Sequence, residues 1–181
     1  LGSTSFFGNE WNGFDNFTYA FQLKAFGQSI VNTLIIAGSK VVLGIVVPLL
    51  LALLINEVGK KWFAKIVQTA YFLPFFLSWV ILGGIFSQMF SYNGIINTMV
   101  EFFGHERILF LLDNNWFRAI IILSDIWKGM GYNMIIFLAA ITGVDMSLHE
   151  AAEIDGANRL QRVWHITLPG ILPTVALIST L

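Results

Sequence analysis

Three ionisable residues, Lys40, Asp125 and Lys128, stand inside long apolar stretches. A charge in such a setting is costly and marks either a pairing or a transport site. Lys40 lies ten residues into its stretch, about 15 Å at the helical rise, and Asp125 and Lys128 lie about 9 and 14 Å into theirs, counted from the same side. The overlapping depths leave two pairings open: Lys40 with Asp125 across a helix interface, or Asp125 with Lys128 at i,i+3 within one helix. Other chemistries have little to stand on. There is no cysteine, so no disulfide, thiolate ligand or cysteine nucleophile. The histidines, His105, His149 and His165, are scattered and none has metal-ligand spacing. No paired carboxylates or nucleophile constellation points to an enzyme, and no G-x-x-x-x-G-K-S/T phosphate loop occurs, so the chain has no visible means of hydrolysing ATP.

The elements that must position these residues follow from composition. The chain has 181 residues, of which 56% are hydrophobic and 12% charged, and its mean hydropathy is +0.74. Globular chains carry roughly 25% charged residues, so the charge available is about half what a water-facing surface needs. Seventeen phenylalanines and six tryptophans exclude a solvated coil. A net charge of -1 gives no nucleic-acid footprint. Crossing a bilayer takes about 20 mostly apolar residues in a helix. Residues 30–55, 66–90 and 119–141 meet that requirement, and a fourth stretch begins near 168 and is cut short. Each is apolar all round, as lipid permits. The expected fold is all-α and polytopic, a single transmembrane domain over 1–181. Pro48 and Pro74 each remove a backbone donor and are expected to kink their spans. Gly129 and Gly131 would allow close helix contact or a local break. Both chain ends look cut, which suggests a fragment of a longer protein.

Loop charge sets the orientation. Lys60, Lys61 and Lys65 follow the first span, and Arg159 and Arg162 follow the third; the opposite side carries Lys24, Arg107 and Arg118. The Lys60 and Arg159 loops are therefore read as cytoplasmic. The leader (Phe6, Phe7, Trp11, Phe14, Phe17, Tyr19, Phe21) suits the headgroup level of a membrane. Residues 94–100 are expected to form a short amphipathic helix on the outer face, followed by a polar loop near Asp113.

The loop at residues 145–169, DMSLHEAAEIDGANRLQRVWHITLP, is the most informative segment. Ser147 with Glu150 three residues on predicts a capping box and a helix start. Ala151, Ala152 and Ile154 offer a small, close-packing surface, and Gly156 suits the left-handed position that ends the helix. A second helix is expected with Leu160, Val163 and Trp164 on one face and Arg159, Gln161 and Arg162 elsewhere. The result is a helix-turn-helix elbow. Tethered between spans and without basic excess, it does not read as a DNA-binding unit.

Glu150-Ala151-Ala152, then Gly156, then Ile166, Leu168 and Pro169 at fixed offsets resemble the EAA loop of the membrane subunits of binding-protein-dependent ABC importers. Asn32-Thr33-Leu34, the run Ala52-Leu53-Leu54-Ile55-Asn56-Glu57, Tyr71-Phe72-Leu73-Pro74 and Ser124-Asp125-Ile126-Trp127-Lys128 are similar to the oligosaccharide and polysaccharide permeases related to the maltose system. The resemblance implies a six-span permease core, partly missing here. It implies a second permease subunit, two ABC ATPase subunits that bind ATP and magnesium, an extracytoplasmic solute-binding protein, a carbohydrate cargo and the cytoplasmic membrane of a prokaryote. No cofactor or metal is expected in this chain. Carried over residue by residue, Glu150, Ala151, Ala152 and Gly156 would dock on the ATPase, and Ile166, Leu168 and Pro169 would fix how the loop returns to the membrane. Lys40, Asp125, Trp127, Lys128, Tyr132 and Asn133 become candidates for the sugar pathway, because sugars are held by aromatic stacking and by amide or carboxylate hydrogen bonds. The plainer reading of those six is packing and anchoring. The rival function is an ion-coupled secondary carrier with Asp125 or Lys128 at its ion site.

Overall fold

The computed structural model describes residues 14–58 and 60–180. Of the leader aromatics, Phe6, Phe7 and Trp11 lie outside the described residues; Phe14, Phe17, Tyr19 and Phe21 are exposed on or beside α1 (Asp15–Gln22). Regular structure among the described residues is helical throughout. After α1 come α2 (Lys24–Asn56), α3 (Lys61–Phe72), α4 (Trp79–Met89), α5 (Ile95–Phe102) and α6 (Asn114–Thr142). The elbow holds α7 (Met146–Ile154) and the single turn α8 (Arg159–Arg162), followed by a π-helical turn at Val163–Thr167, the short α9 (Leu168–Gly170) and α10 (Leu172–Thr180). By contact the described residues fall into two units, one ending at Ala37 and one beginning at Gly38.

Two helices, α2 with 33 residues and α6 with 29, are each long and apolar enough to cross a membrane, and bent helix pairs raise the number to as many as four. Both outrun their predicted stretches, because residues 24–29 and 114–118, which mix polar with apolar side chains, are helical as well. α6 begins where Asp113 accepts hydrogen bonds from the backbone N–H groups of Asn115 (2.8 Å) and Trp116 (3.1 Å), an N-cap that satisfies two otherwise orphan donors.

The stretch at 66–90 departs from expectation. It is not one continuous helix: Lys61–Phe76 and Trp79–Met89 meet at a 96° bend, as in a broken span or a re-entrant loop. α3 runs into a 3-10 turn at Leu73–Phe76, the chain is extended at Leu77, and α4 restarts with Ser78 as its cap, the hydroxyl accepting from Val80 N–H at 3.2 Å. Pro74 alone would cost one donor and a modest kink; the extended Leu77 and the fresh cap turn the kink into a break. Neither half is long enough to cross a bilayer alone. Pro48 behaves differently: α2 runs through it as a continuous helix.

The core of the second unit joins Ala52 and Ile55 of α2 to Met134, Phe137 and Ile141 of α6 and to Ile171 and Ile178. In lipid, exposure of an apolar side chain costs little, so close backbone approach decides which faces pair. Gly131 supplies it. A Cβ at that position would lie 2.0 Å from the Tyr71 carbonyl oxygen and 2.7 Å from the Phe72 Cα, so α3 can cross α6 only over a glycine.

Candidate functional site

The elbow is built by local hydrogen bonds. Asp145, not Ser147, caps α7: its carboxylate accepts the Ser147 N–H at 2.9 Å. Backbone and side-chain hydrogen bonds from Ser147 hold the Asp145 carboxyl below its ordinary pKa. The predicted Ser147–Glu150 box is therefore corrected. Asp145 stands two residues earlier and, as an anion at the positive end of the helix, outcompetes a neutral hydroxyl. A true capping box forms one helix later, where the Asn158 side chain accepts from Gln161 N–H at 2.9 Å and the Gln161 side chain accepts from Asn158 N–H at 2.8 Å.

Gly156 sits at φ +79°, as the sequence led us to expect. Its N–H donates to the Glu153 carbonyl at 3.0 Å and the Ala157 N–H donates to the Ala152 carbonyl at 2.8 Å. Together these make the Schellman pair that satisfies the last carbonyls of α7. Glu150 and Ala151 are exposed, and Ala152 is half-buried. Ile154, Leu160 and Trp164 are 87%, 80% and 69% exposed, so the elbow presents three large apolar side chains. Of the expected apolar face of the second helix, Leu160 and Trp164 are exposed and Val163, in the π-helical turn that follows α8, is half-buried. Two ion pairs brace the elbow: Arg162 with Glu153 of α7, and Arg159 with Glu57 beyond the end of α2 at 3.3 Å. Ile166 and Leu168 are half-buried, Leu168 against the core, and Pro169 is exposed in the first turn of α9. The helix from Arg159 to Gly170 then meets α10 at a 58° bend.

The second candidate region lies midway along α6. Lys40 Nζ is 3.1 Å from Asp125 Oδ1, so the interhelical pairing forms and the Asp125–Lys128 alternative does not. A cleft of about 290 Å³ surrounds the pair, with Gly44, Gly129, Asn133 and Ser179 in its lining. Lys128 turns the other way. Its ammonium donates to the Phe75 carbonyl at 2.8 Å and lies 5.2 Å from the Phe75 ring centre and 5.6 Å from that of Trp79. Tyr132 stacks on Phe75 at 4.8 Å with the rings 9° apart. Trp127 makes an edge-on contact with Phe86. The six pathway candidates thus split three ways: Lys40, Asp125 and Asn133 around the cleft, Lys128 and Tyr132 at the break in the second stretch, and Trp127 against α4.

Residues 44–181 match the family described as the binding-protein-dependent transport system inner membrane component. The chain belongs to this family. It is 43% identical, over 96% of its length, to the polygalacturonan/rhamnogalacturonan transport system permease protein YteP of Bacillus subtilis, 54% of which it covers. Among solved structures it superposes with a TM-score of 0.85, at 43% identity, on a chain of a bacterial ABC transporter involved in import of the acidic polysaccharide alginate, covering 95% of this chain and 60% of that one. A second structure is of the bacterial alginate ABC transporter in complex with alginate pentasaccharide-bound periplasmic protein. It gives 0.83 at 44% identity, with 91% and 57% covered. The chain spans about half the length of the curated relatives it matches.

Within this permease fold, two residues carry more structure than their sequence context signalled. Pro48 has no N–H to offer the Gly44 carbonyl four residues back, and the Asn133 side chain donates to that carbonyl at 3.2 Å. Asn133 is thereby explained by Pro48, as polar neighbours commonly complete proline-broken ladders in membrane helices. Asn97, fully buried on α5, donates to the carbonyls of Ser91 (3.1 Å) and Ile108 (2.9 Å) and accepts from the Ile108 N–H at 2.8 Å. Arg107 adds bonds to Glu101 and Asn93, so the connection between α4 and α6 is an ordered cap. An asparagine inside an amphipathic helix was the available signal; its long-range partners were not.

Proposed function

We propose that this chain is part of the transmembrane permease subunit of an ATP-driven ABC importer, a multi-pass protein of a prokaryotic cytoplasmic membrane that carries a carbohydrate of the oligosaccharide class. The relatives supply the cargo class: YteP is named for polygalacturonan and rhamnogalacturonan, and the solved transporter is described as importing alginate. They also support the expected solute-binding protein, since one alginate structure includes a periplasmic partner bound to a pentasaccharide.

The observation that carries the reading is the elbow. It is held by its own hydrogen bonds, is tied to the end of α2 through Arg159 and Glu57, and bears exposed apolar side chains on a chain whose 181 residues contain no phosphate loop. In this proposal a separate ATPase pair binds ATP and its magnesium, closes, and moves the elbow. Glu150, Ala151, Ala152 and Gly156 form the gripped part, and Ile166, Leu168 and Pro169 pass the motion toward the core. A second permease subunit completes the pathway, to which the cleft at Lys40 and Asp125 contributes. The elbow side is the cytoplasmic one.

The test is uptake by the complete transporter reconstituted in vesicles. Uptake that continues after ion gradients are dissipated, and stops when ATP is withheld, is the expected result. Uptake that collapses with the gradient while ATP remains would replace the importer with an ion-coupled carrier.

A further inference from the structure

A charge held among apolar helices needs compensation. Lys40 has it from Asp125 at 3.1 Å. Lys128 does not: no carboxylate among the described residues lies within ion-pair distance of it, and its contacts are the Phe75 carbonyl and two aromatic rings. An ammonium has three donors, and the carbonyl takes one. That carbonyl sits in the 3-10 turn at Leu73–Phe76, the negative end of the preceding helical run, so partial charges steady the ammonium without neutralising it. Around the middle of α6, Lys40 of α2 and Lys128 therefore stand as two cations against the one anion Asp125.

Asp125, Lys128 and Tyr132 are neighbours on the helical wheel, with Lys128 and Tyr132 on the side of Asp125 away from the cleft. At 100° per residue they fall within about 60° of one another around α6. Tyr132 is 41% exposed and is held flat by its stack on Phe75. An aromatic plane one turn from an unneutralised ammonium, beside an ion pair able to exchange hydrogen bonds with hydroxyls, is the chemistry that recognises a sugar ring bearing a carboxylate. A neutral sugar would use the plane and the ion pair but leave the third charge uncompensated.

We propose that Lys128 is a specificity-determining residue that selects acidic saccharides, of the hexuronate type, through their carboxylate. The proposal rests on the carbohydrate reading above and deepens it.

The experiment is equilibrium binding to the assembled permease–ATPase complex without the solute-binding protein. The probes are trisaccharides of galacturonate and mannuronate and their carboxyl-reduced, neutral counterparts. The expected result is at least tenfold tighter binding of the acidic forms. Lys128→Gln should remove that preference while leaving neutral-sugar affinity within about twofold, and Lys128→Arg should retain most of it. Equal binding of acidic and neutral sugars overturns the proposal and leaves the carbohydrate reading in place. So does a Lys128→Gln variant that weakens both alike, which would make Lys128 a staple for the broken span. Binding of neither form by the assembled complex overturns both readings.

Discussion

The crossing of α3 with α6 and the elbow at α7 and α8 each turn on a glycine, and each needs it for a different reason. At Gly131 the requirement is space: the α3 backbone lies where a Cβ would be. At Gly156 it is conformation: φ is +79° and nothing stands within 4 Å of a built Cβ. The first region is held by packing between distant segments. The second is held mainly by hydrogen bonds within residues 145–162, with one ion pair out to Glu57, and leaves its apolar side chains bare. A region of the first kind fails by losing the fold, whereas one of the second kind can stay folded and fail by losing its partner.

That contrast is broken most easily at Gly131. Gly131→Ala should destabilise at or beyond the upper end of the about 1–3 kcal/mol typical of overpacking, seen as a fall in thermal stability in detergent. An unchanged melting temperature would mean the helices do not cross so closely. At the elbow, Gly156→Pro cannot reach a positive φ; the assembled transporter should survive, with sugar-stimulated ATP hydrolysis reduced at least tenfold. Intact stimulation would deprive the elbow of its coupling role. Midway along α6, Lys40→Asp and Asp125→Lys should each cut uptake about tenfold, and combining them should restore part of it, because the pair is reformed with its signs exchanged. No recovery in the double variant would limit the 3.1 Å contact to a bystander.

Smaller effects sharpen the same contrast. Asn133→Ala should cost about 1 kcal/mol in wild-type background, and clearly less beside Pro48→Ala, where residue 48 regains an N–H for the Gly44 carbonyl. Additive losses in that double-mutant cycle would disconnect Asn133 from Pro48. The smallest effect is at Asp145. Its folded pKa is lowered by Ser147, so the cap's contribution is complete above the ordinary carboxylate range and is lost as pH falls through the lowered value. Hydrogen exchange at the Ser147 amide, corrected for intrinsic rate, should accelerate over that acidic window, and Asp145→Asn should abolish the change.

Much of this was legible in the chain itself. Apolar length located the long helices, and overlapping depth offered two pairings for Asp125, of which the one with Lys40 forms. Glycine after a short helix, with small residues before it, marked the left-handed stop at Gly156. What stayed hidden depended on competition or on distance. Asp145 and Ser147 are both good caps, and only the folded backbone shows which one wins. Ser78 after Leu77 was a readable helix start, but an unbroken apolar run masked it, because lipid-facing sequence shows no change of period at a bend. Asn97 and Asn133 bond to carbonyls eleven and eighty-nine residues away, which local spacing does not encode.

The central claim is that the elbow is gripped by a separate nucleotide-hydrolysing protein. The chain has no native cysteine, so single cysteines at Ile154, Leu160 and Trp164 can be crosslinked in membranes that are actively taking up sugar, with Phe102 as a control on α5. Adducts at the elbow positions containing a phosphate-loop ATPase, and none from Phe102, are the predicted result. Elbow cysteines that never capture the ATPase while uptake proceeds would contradict the account.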